Sequence, residues 1–160
     1  MQVTSRAATI EDLDVVIAMY RDLADEQEAL RPLWPLADGF SEPIADSIRE
    51  ALADEDSLLL VGEIDAYPLG FLWGRVESLL PQAGGEAVGV IRLIFTDGEA
   101  RGVGVGDAMI TQALADLRGR GLRYFDARVS PGHRHAKNFF ESNGFSARLI
   151  VMHHDDGPRG

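Results

Sequence analysis

Residues 88–106 read VGVIRLIFTDGEARGVGVG, and this stretch decides the fold. Its first part, residues 88–96, is the most β-prone run of the chain. A glycine-rich turn at 101–106 follows a short polar link, and apolar residues at helical spacing come directly after that turn. The predicted order is therefore strand, turn and helix, with glycine amides at the start of the helix.

The residues before this stretch predict two helices and three strands. Thr9 is a candidate N-cap for a first helix. Three prolines, a glycine, Trp34 and Phe40 then indicate a structured loop. The predicted elements are an opening strand within 2–8, a helix over about 10–28, a second helix that ends near Asp54, and antiparallel strands at 57–64 and 69–77.

The residues after the turn predict the second half of the sheet. Gly119 and Gly121 close the helix that follows the turn, and Gly144 ends the next helix. The predicted elements are a strand at 123–129, a helix at 133–143 and a last strand at 145–152. The order βααβββαβαβ indicates one mixed α/β sheet.

Length and composition narrow the class of protein. A chain of 160 residues suits one domain over 1–160, with a polar tail from about His153. No apolar run approaches the roughly 20 residues of a membrane span, and the opening residues do not resemble a secretory signal. We therefore expect a cytoplasmic protein. The lack of cysteine excludes disulfides, thiolate zinc sites and a cysteine nucleophile.

The charge of the chain favours some partners over others. Asp and Glu number 26 against 15 Lys and Arg, so the excess is 26 − 15 = 11 negative charges. This excess repels nucleic acid and anionic lipid. A cationic or amine-bearing partner fits better.

The glycine turn at 101–106 has the chemistry of a phosphate site, because unpaired helix-start amides attract anions and glycine lets the ligand approach. An ordinary tight turn is the alternative. A P-loop would need Lys after Gly106, where the chain has Asp107. A dinucleotide fingerprint would need a third small residue where the two possible frames have Asp107 and Met109.

Two motifs resemble those of the GNAT superfamily of N-acetyltransferases. Arg101, Gly104 and Gly106 match its acyl-CoA motif Q/R-x-x-G-x-G/A, in the same strand-to-helix position. Residues 136–145, AKNFFESNGF, resemble its A-x-x-hydrophobic-Tyr-x-x-x-G-F segment at the expected distance. The element order is similar over about residues 3–152. The resemblance implies a mostly antiparallel central sheet flanked by about four helices.

The resemblance also implies acetyl-CoA as co-substrate and assigns residues to it. The pyrophosphate would rest on the amides of the glycine turn, and the pantetheine arm would pair with the preceding strand. A strand amide would polarise the thioester carbonyl. The implied cofactor-binding residues are Ile94, Phe95, Thr96, Arg101, Gly102, Val103, Gly104, Val105, Gly106, His133, Phe139 and Phe140.

The chain departs from the family where catalytic side chains are usual. Phe140 occupies the position of the tyrosine that commonly protonates the leaving thiolate. Arg92 and Val90 occupy positions where relatives often have a base. No catalytic side chain is therefore assigned, and water or a carboxylate would accept the proton of the attacking amine.

Arg92, Trp34 and Ser130 are candidate contacts of the acceptor substrate, each with a structural alternative. Arg92 would bind a substrate carboxylate or form a salt bridge with Glu77 or Glu86. Trp34, with Phe40, would line the acceptor-binding site or anchor the loop to the hydrophobic core. Ser130 would touch thiol or acceptor or belong to a turn. His133 would contact CoA, relay a proton, cap the helix or be exposed.

Two functions follow from these observations. The first is an active N-acetyltransferase that moves acetyl from acetyl-CoA to a primary amine in a ternary complex. The second is a catalytically silent acyl-CoA-binding regulatory or sensor module. We expect no metal site at 153–156, because four consecutive tail residues lack ligand spacing. The family analogy favours a homodimer. The acceptor, a small-molecule or peptide amine, is not identified by the sequence.

Overall fold

The computed structural model describes residues 1–30, 39–79, 81–130 and 133–158. Within these ranges the sheet has five strands in the order β1-β2-β3-β4-β5. All neighbours are antiparallel except β4 and β5. The elements are β1 (Val3–Ala7), α1 (Leu13–Ala29), α2 (Ile44–Ala53), β2 (Ser57–Ile64), β3 (Tyr67–Ser78), β4 (Ala87–Thr96), α3 (Val105–Gly119), β5 (Tyr124–Ala127) and α4 (Arg134–Ser142). The predicted mixed, mostly antiparallel α/β fold with four helices is confirmed.

Local signals in the sequence set the helix ends. The Thr9 amide donates to the Asp12 carboxylate at 2.8 Å in a capping box, and a short 3-10 turn then leads into α1. Hydrogen bonds from Arg6 to the same carboxylate lower the pKa of Asp12. Gly121 and Gly144 take the left-handed conformation two residues after the last residues of α3 and α4, as predicted for helix-ending glycines.

The two faces of the sheet bury separate cores. Helices α1 and α2 cover one face, and α3 covers the other. Phe40 belongs to the first core, where its ring stacks on Trp73 at 4.3 Å between centroids. Phe40 is therefore a residue of this core. No helix in the described parts of the chain is long and apolar enough to cross a membrane.

Three glycines on the sheet let α3 lie directly against it. A Cβ atom on Gly62 would come within 2.7 Å of Val105 Cγ1, and one on Gly89 within 2.8 Å of Leu117 Cδ1. A Cβ atom on Gly70 would lie 2.7 Å from the Phe95 carbonyl oxygen. The glycines at 62 and 70 lie against Val105, the first residue of α3, and the glycine at 89 lies against Leu117 near its end.

Gly70→Ala is expected to lower the free energy of unfolding by about 1–3 kcal/mol, because the added methyl meets backbone that cannot move aside. Chemical denaturation of purified protein measures this change. Gly98→Ala is the matched control, since no atom lies within 4 Å of the added methyl there. Equal stability of the two variants would contradict the close packing around Gly70, where the Phe95 carbonyl of β4 and the Met109 side chain of α3 both meet the added methyl.

The sequence was wrong about the last strand and overestimated the length of β5. Strand β5 covers four residues where seven, 123–129, were predicted. Residues 145–152 form no strand, and Leu149 and Met152 are 70% and 87% exposed. The run is β-prone, but a strand also needs a neighbouring ladder and a buried face. Arg148 instead pairs with Asp126 through its guanidinium.

Candidate functional site

Strands β4 and β5 separate partway along β4. Their pairing runs from Val88–Tyr124 to Ile91–Ala127. In the described part of the chain no strand lies on that side of β4 beyond Ile91, so its second half has an open edge. Arg92 is the extra residue of a β-bulge at this point, because Gly74 pairs with Ile91 while Trp73 pairs with Leu93.

Alternation along β4 shows which backbone groups face the open edge. The Asp97 amide donates to the Leu69 carbonyl on the β3 side at 2.7 Å. The amides and carbonyls of Thr96 and Ile94 therefore face the opposite, open side. The Thr96 carbonyl accepts a hydrogen bond of 2.9 Å from Arg101 Nε there. Phe95 is 4% exposed, with its ring in the α1 and α2 core.

The glycine turn leads from this edge into α3. Gly102 and Gly104 have φ of 82° and 101°, which glycine adopts without strain. Gly104 is the N-cap of α3, and its carbonyl accepts from the Ala108 amide at 3.0 Å. The amides before Ala108 thus lack partners within the helix. A Cβ atom on Gly104 would find no atom within 4 Å, so the space above the turn is open.

The side chains of the turn point in different directions. Val103 is 39% exposed, whereas Val105 is 1% exposed and packs on the sheet. Only the backbone of Val105 can therefore reach a ligand. A Cβ atom on Gly106 would lie 3.0 Å from the ring of Phe139.

Helix α4 lies beside the turn. Its Phe139 contacts Gly106, and Asn143 Nδ2, one turn later, donates to Asp107 at 3.2 Å. Phe140 is 6% exposed and packs between Phe139 and Phe145 at 5.2 and 5.3 Å between ring centroids. Phe139 thus borders the turn, whereas Phe140 belongs to the core. Asn143 was not among the predicted site residues, although its spacing from Phe139 places both on one helix face.

His133 and Ser130 meet at the start of α4. The His133 amide donates to the Ser130 carbonyl at 3.2 Å, and the His133 carbonyl accepts from Lys137 at 3.0 Å. His133 is the N-cap residue of α4, but its side chain makes no capping hydrogen bond. Ser130 is exposed. Their contacts with CoA or acceptor stay predictions.

Arg92 adopts the salt-bridge alternative. Its Nη1 donates to Glu77 Oε1 at 2.8 Å, and its guanidinium lies 5.4 Å from the centroid of the Trp73 ring. Arg128, directly after β5, lies 3.6 Å from the other Glu77 oxygen. Arg92 is thus at the mouth of the opening, with its side chain on the α1 and α2 face. Trp34 lies outside the described residues.

Arg101 forms an ion pair with Glu26, which was not among the predicted site residues. Its Nη2 donates to both carboxylate oxygens of Glu26, at 2.5 and 2.7 Å, near the end of α1. Its guanidinium also lies 5.8 Å from the centroid of the Phe95 ring. The two ion-pair partners are 75 residues apart, so no local pattern indicates the contact.

None of the three tyrosines of the chain replaces the missing one at Phe140. Tyr20 is buried, which raises its pKa, and its hydroxyl donates to the Phe40 carbonyl at 3.3 Å. Tyr67 begins β3 five residues before Leu72, which is the β3 partner of Ile94, and Tyr124 pairs with Val88 in the closed part of β4 and β5.

The histidine and aspartate tail forms no metal cage in the described residues. His154 Nε2 lies 2.7 Å from Asp156 Oδ1, and both side chains are largely exposed. No group of three or more potential metal-binding side chains comes together in the ranges that the structure describes.

Comparison with known proteins shows both sequence and structural relatives. A mycothiol acetyltransferase of Cellulomonas flavigena is 33% identical over 104 residues, which are 63% of this chain and 30% of that protein. One of Stackebrandtia nassauensis is 34% identical over 64% of this chain and 33% of its own length. The chain thus spans about a third of these curated relatives.

A structure described as a transcriptional regulator from Bacillus halodurans has a TM-score of 0.73 at 22% identity, and the alignment covers 96% of this chain and all of that one. A predicted acetyltransferase of Clostridium acetobutylicum, solved with acetyl-CoA, has a TM-score of 0.72 at 15% identity over 96% of each chain. At these identities the two structures show a shared fold. Residues 17–145 match the family model described as Acetyltransferase (GNAT) family. The chain therefore belongs to the GNAT acetyltransferase family.

Proposed function

We propose that this chain is an N-acetyltransferase that moves the acetyl group of acetyl-CoA to a primary amine by direct attack. One observation carries the proposal. In a chain of the GNAT family, the open edge of β4 ends at a glycine turn whose amides start α3. The open edge suits an extended amide-containing arm, and the amides of the glycine turn suit a pyrophosphate.

The residues of this site fit acetyl-CoA. The open space at Gly104 leaves room for a phosphate close to the backbone. The amides at 102–106 would hold the pyrophosphate, and the edge groups of Ile94 together with the Thr96 amide would pair with the pantetheine arm. Phe139 borders the same turn and would pack on the cofactor. When bound, acetyl-CoA supplies a thioester carbon that an amine can attack.

The backbone of β4 supplies the main catalytic group of this proposal. The Ile94 amide faces the opening and would donate to the thioester oxygen, which stabilises the negative charge that develops there during attack. The ammonium would lose one proton to water before attack. A new C–N bond would then form as the C–S bond breaks, with CoA leaving as a thiolate. The acetylated nitrogen would lose its second proton to water, and solvent would protonate the thiolate. No side-chain acid is assigned, because Phe140 cannot donate a proton.

The acceptor is proposed only as a class. The names of the curated relatives refer to mycothiol, and they concern proteins about three times as long as the aligned segment. The excess of 11 negative charges favours a cationic amine. Arg92, Ser130 and Trp34 stay proposed acceptor contacts, with Arg92 available only if a substrate displaces Glu77.

Calorimetric titration with acetyl-CoA, followed by detection of free thiol on adding a panel of primary amines, tests this function. We expect binding near one equivalent and thiol release that depends on the amine. Binding without release from any amine would instead support the regulatory or sensor module. No binding at all would contradict the proposed cofactor site.

We also propose a homodimer and a cytoplasmic location. Leu149, Ile150, Val151 and Met152 are consecutive apolar residues whose side chains are 70–87% exposed, which a second copy would cover. Acetyl-CoA as donor is consistent with the cytoplasm. Light scattering coupled to size-exclusion chromatography measures the oligomeric state, and a mass of one chain would contradict the dimer.

A further inference from the structure

The ion pair of Glu26 and Arg101 joins the end of α1 to the glycine turn of the proposed cofactor site. Arg101 is the first residue of the glycine turn, and Glu26 lies near the end of α1. Nη2 of Arg101 donates to both Glu26 oxygens, while its Nε donates to the Thr96 carbonyl at 2.9 Å. One guanidinium is thus held by a helix and by the last residue of β4. We propose that Glu26 is a positioning residue for coenzyme A, acting through Arg101.

The glycine turn needs a positioning residue because its glycines make it flexible. Gly102 and Gly104 give the turn wide conformational freedom, which must be lost when a pyrophosphate is bound. The hydrogen bond from Arg101 to Thr96 connects the glycine turn, which starts α3, to the open edge of β4. Glu26 fixes the plane of the guanidinium that makes this bond. Ordering the turn in advance lowers the entropy lost on binding.

Charge alone predicts the opposite effect of Glu26. A carboxylate near a pyrophosphate repels it, and Asp97, Glu99 and Asp107 already lie in and around the turn. If Glu26 acted only through its charge, its neutralisation would strengthen the binding of coenzyme A. If Glu26 positions Arg101, neutralisation weakens binding. The sign of the effect therefore separates the two explanations.

Calorimetric titration of coenzyme A into wild type, Glu26→Gln, Arg101→Gln and the double variant tests this inference. We expect each single change to weaken binding about threefold to tenfold, and the double variant to bind no more weakly than the weaker single variant, because both changes remove one coupled unit. Glu42→Gln is the matched control, since it breaks another exposed Arg–Glu pair of α1, with Arg21 at 3.0 Å. It should leave binding unchanged.

Thermal unfolding separates positioning from a general role in folding. Both residues are about half exposed, so Glu26→Gln should lower Tm by no more than about 4 °C. Equal or tighter binding by Glu26→Gln would overturn the inference, as would additive effects or a larger loss of Tm. The inference rests on the proposed function. Wild-type protein that does not bind coenzyme A would contradict both, whereas wild-type binding with an unaffected Glu26→Gln variant would contradict this inference alone.

Discussion

Gly104→Val is expected to weaken the binding of coenzyme A by at least about 100-fold, because the valine side chain fills the space in which the pyrophosphate must approach the backbone. A Cβ atom at this position enters open space and not the protein interior. The added side chain therefore blocks the ligand without colliding with the core. Calorimetric titration of coenzyme A measures the effect.

Backbone strain needs its own control, since Gly104 has a φ of 101°. A β-branched residue in this region costs on the order of 1–3 kcal/mol. Gly121, after the other end of α3, has a φ of 89° and equally open surroundings. Gly121→Val should show a similar loss of stability with unchanged binding. Equal affinity of Gly104→Val and wild type would refute the assignment of the site.

The pH profile of acetyl transfer is expected to follow the acceptor and not the protein. With no side-chain base assigned, kcat/KM should track the neutral fraction of the amine. It should rise about tenfold per pH unit below the acceptor pKa, or about 1,000-fold between pH 6 and pH 9 for a lysine-type amine with a pKa of about 10.4. Thiol release at saturating acetyl-CoA measures this profile.

A second acceptor makes the test specific. For a peptide α-amine with a pKa of about 7.7–8.0, the plateau should begin about two to three pH units earlier. The difference arises because the same enzyme sees two amines of different basicity. A plateau at one pH for both acceptors would instead reveal a protein group that accepts the proton. Glu77 would then be the first carboxylate to replace, since it lies at the mouth of the opening beside Arg92.

The fold was predictable because its signals are local. Thr9, Gly121 and Gly144 mark helix ends through short-range backbone chemistry, and the sequence placed all three correctly. The prediction of a strand at 145–152 was wrong because it, too, rested on local signals alone. Its apolar residues carry a local preference, but a strand also depends on a neighbour that local sequence does not specify.

The candidate site was predictable only where backbone and glycine form it. The turn at 101–106 lies at the start of α3, as its glycines indicated. Side-chain partners were harder, because Glu26 meets Arg101 across 75 residues. For the same reason the sequence could not decide whether a salt bridge of Arg92 would involve Glu77 or Glu86, and the structure pairs it with Glu77. Phe140 was identified from its motif position, but its burial depends on the packing of Phe139 and Phe145.

The glycines at 62, 70 and 89 carry a consequence for how this protein can change by mutation. They lie under α3, where an added Cβ atom would come within 3.1 Å of one of its side chains. A methyl group on any of them would lift or slide the helix, and the amides at its start would move with it. Residues more than ten positions away from the turn thus determine where the anion-binding amides lie relative to the edge of β4. Surveys of tolerated substitutions should find these three positions as restricted as the turn itself, although none of them can touch a ligand through a side chain.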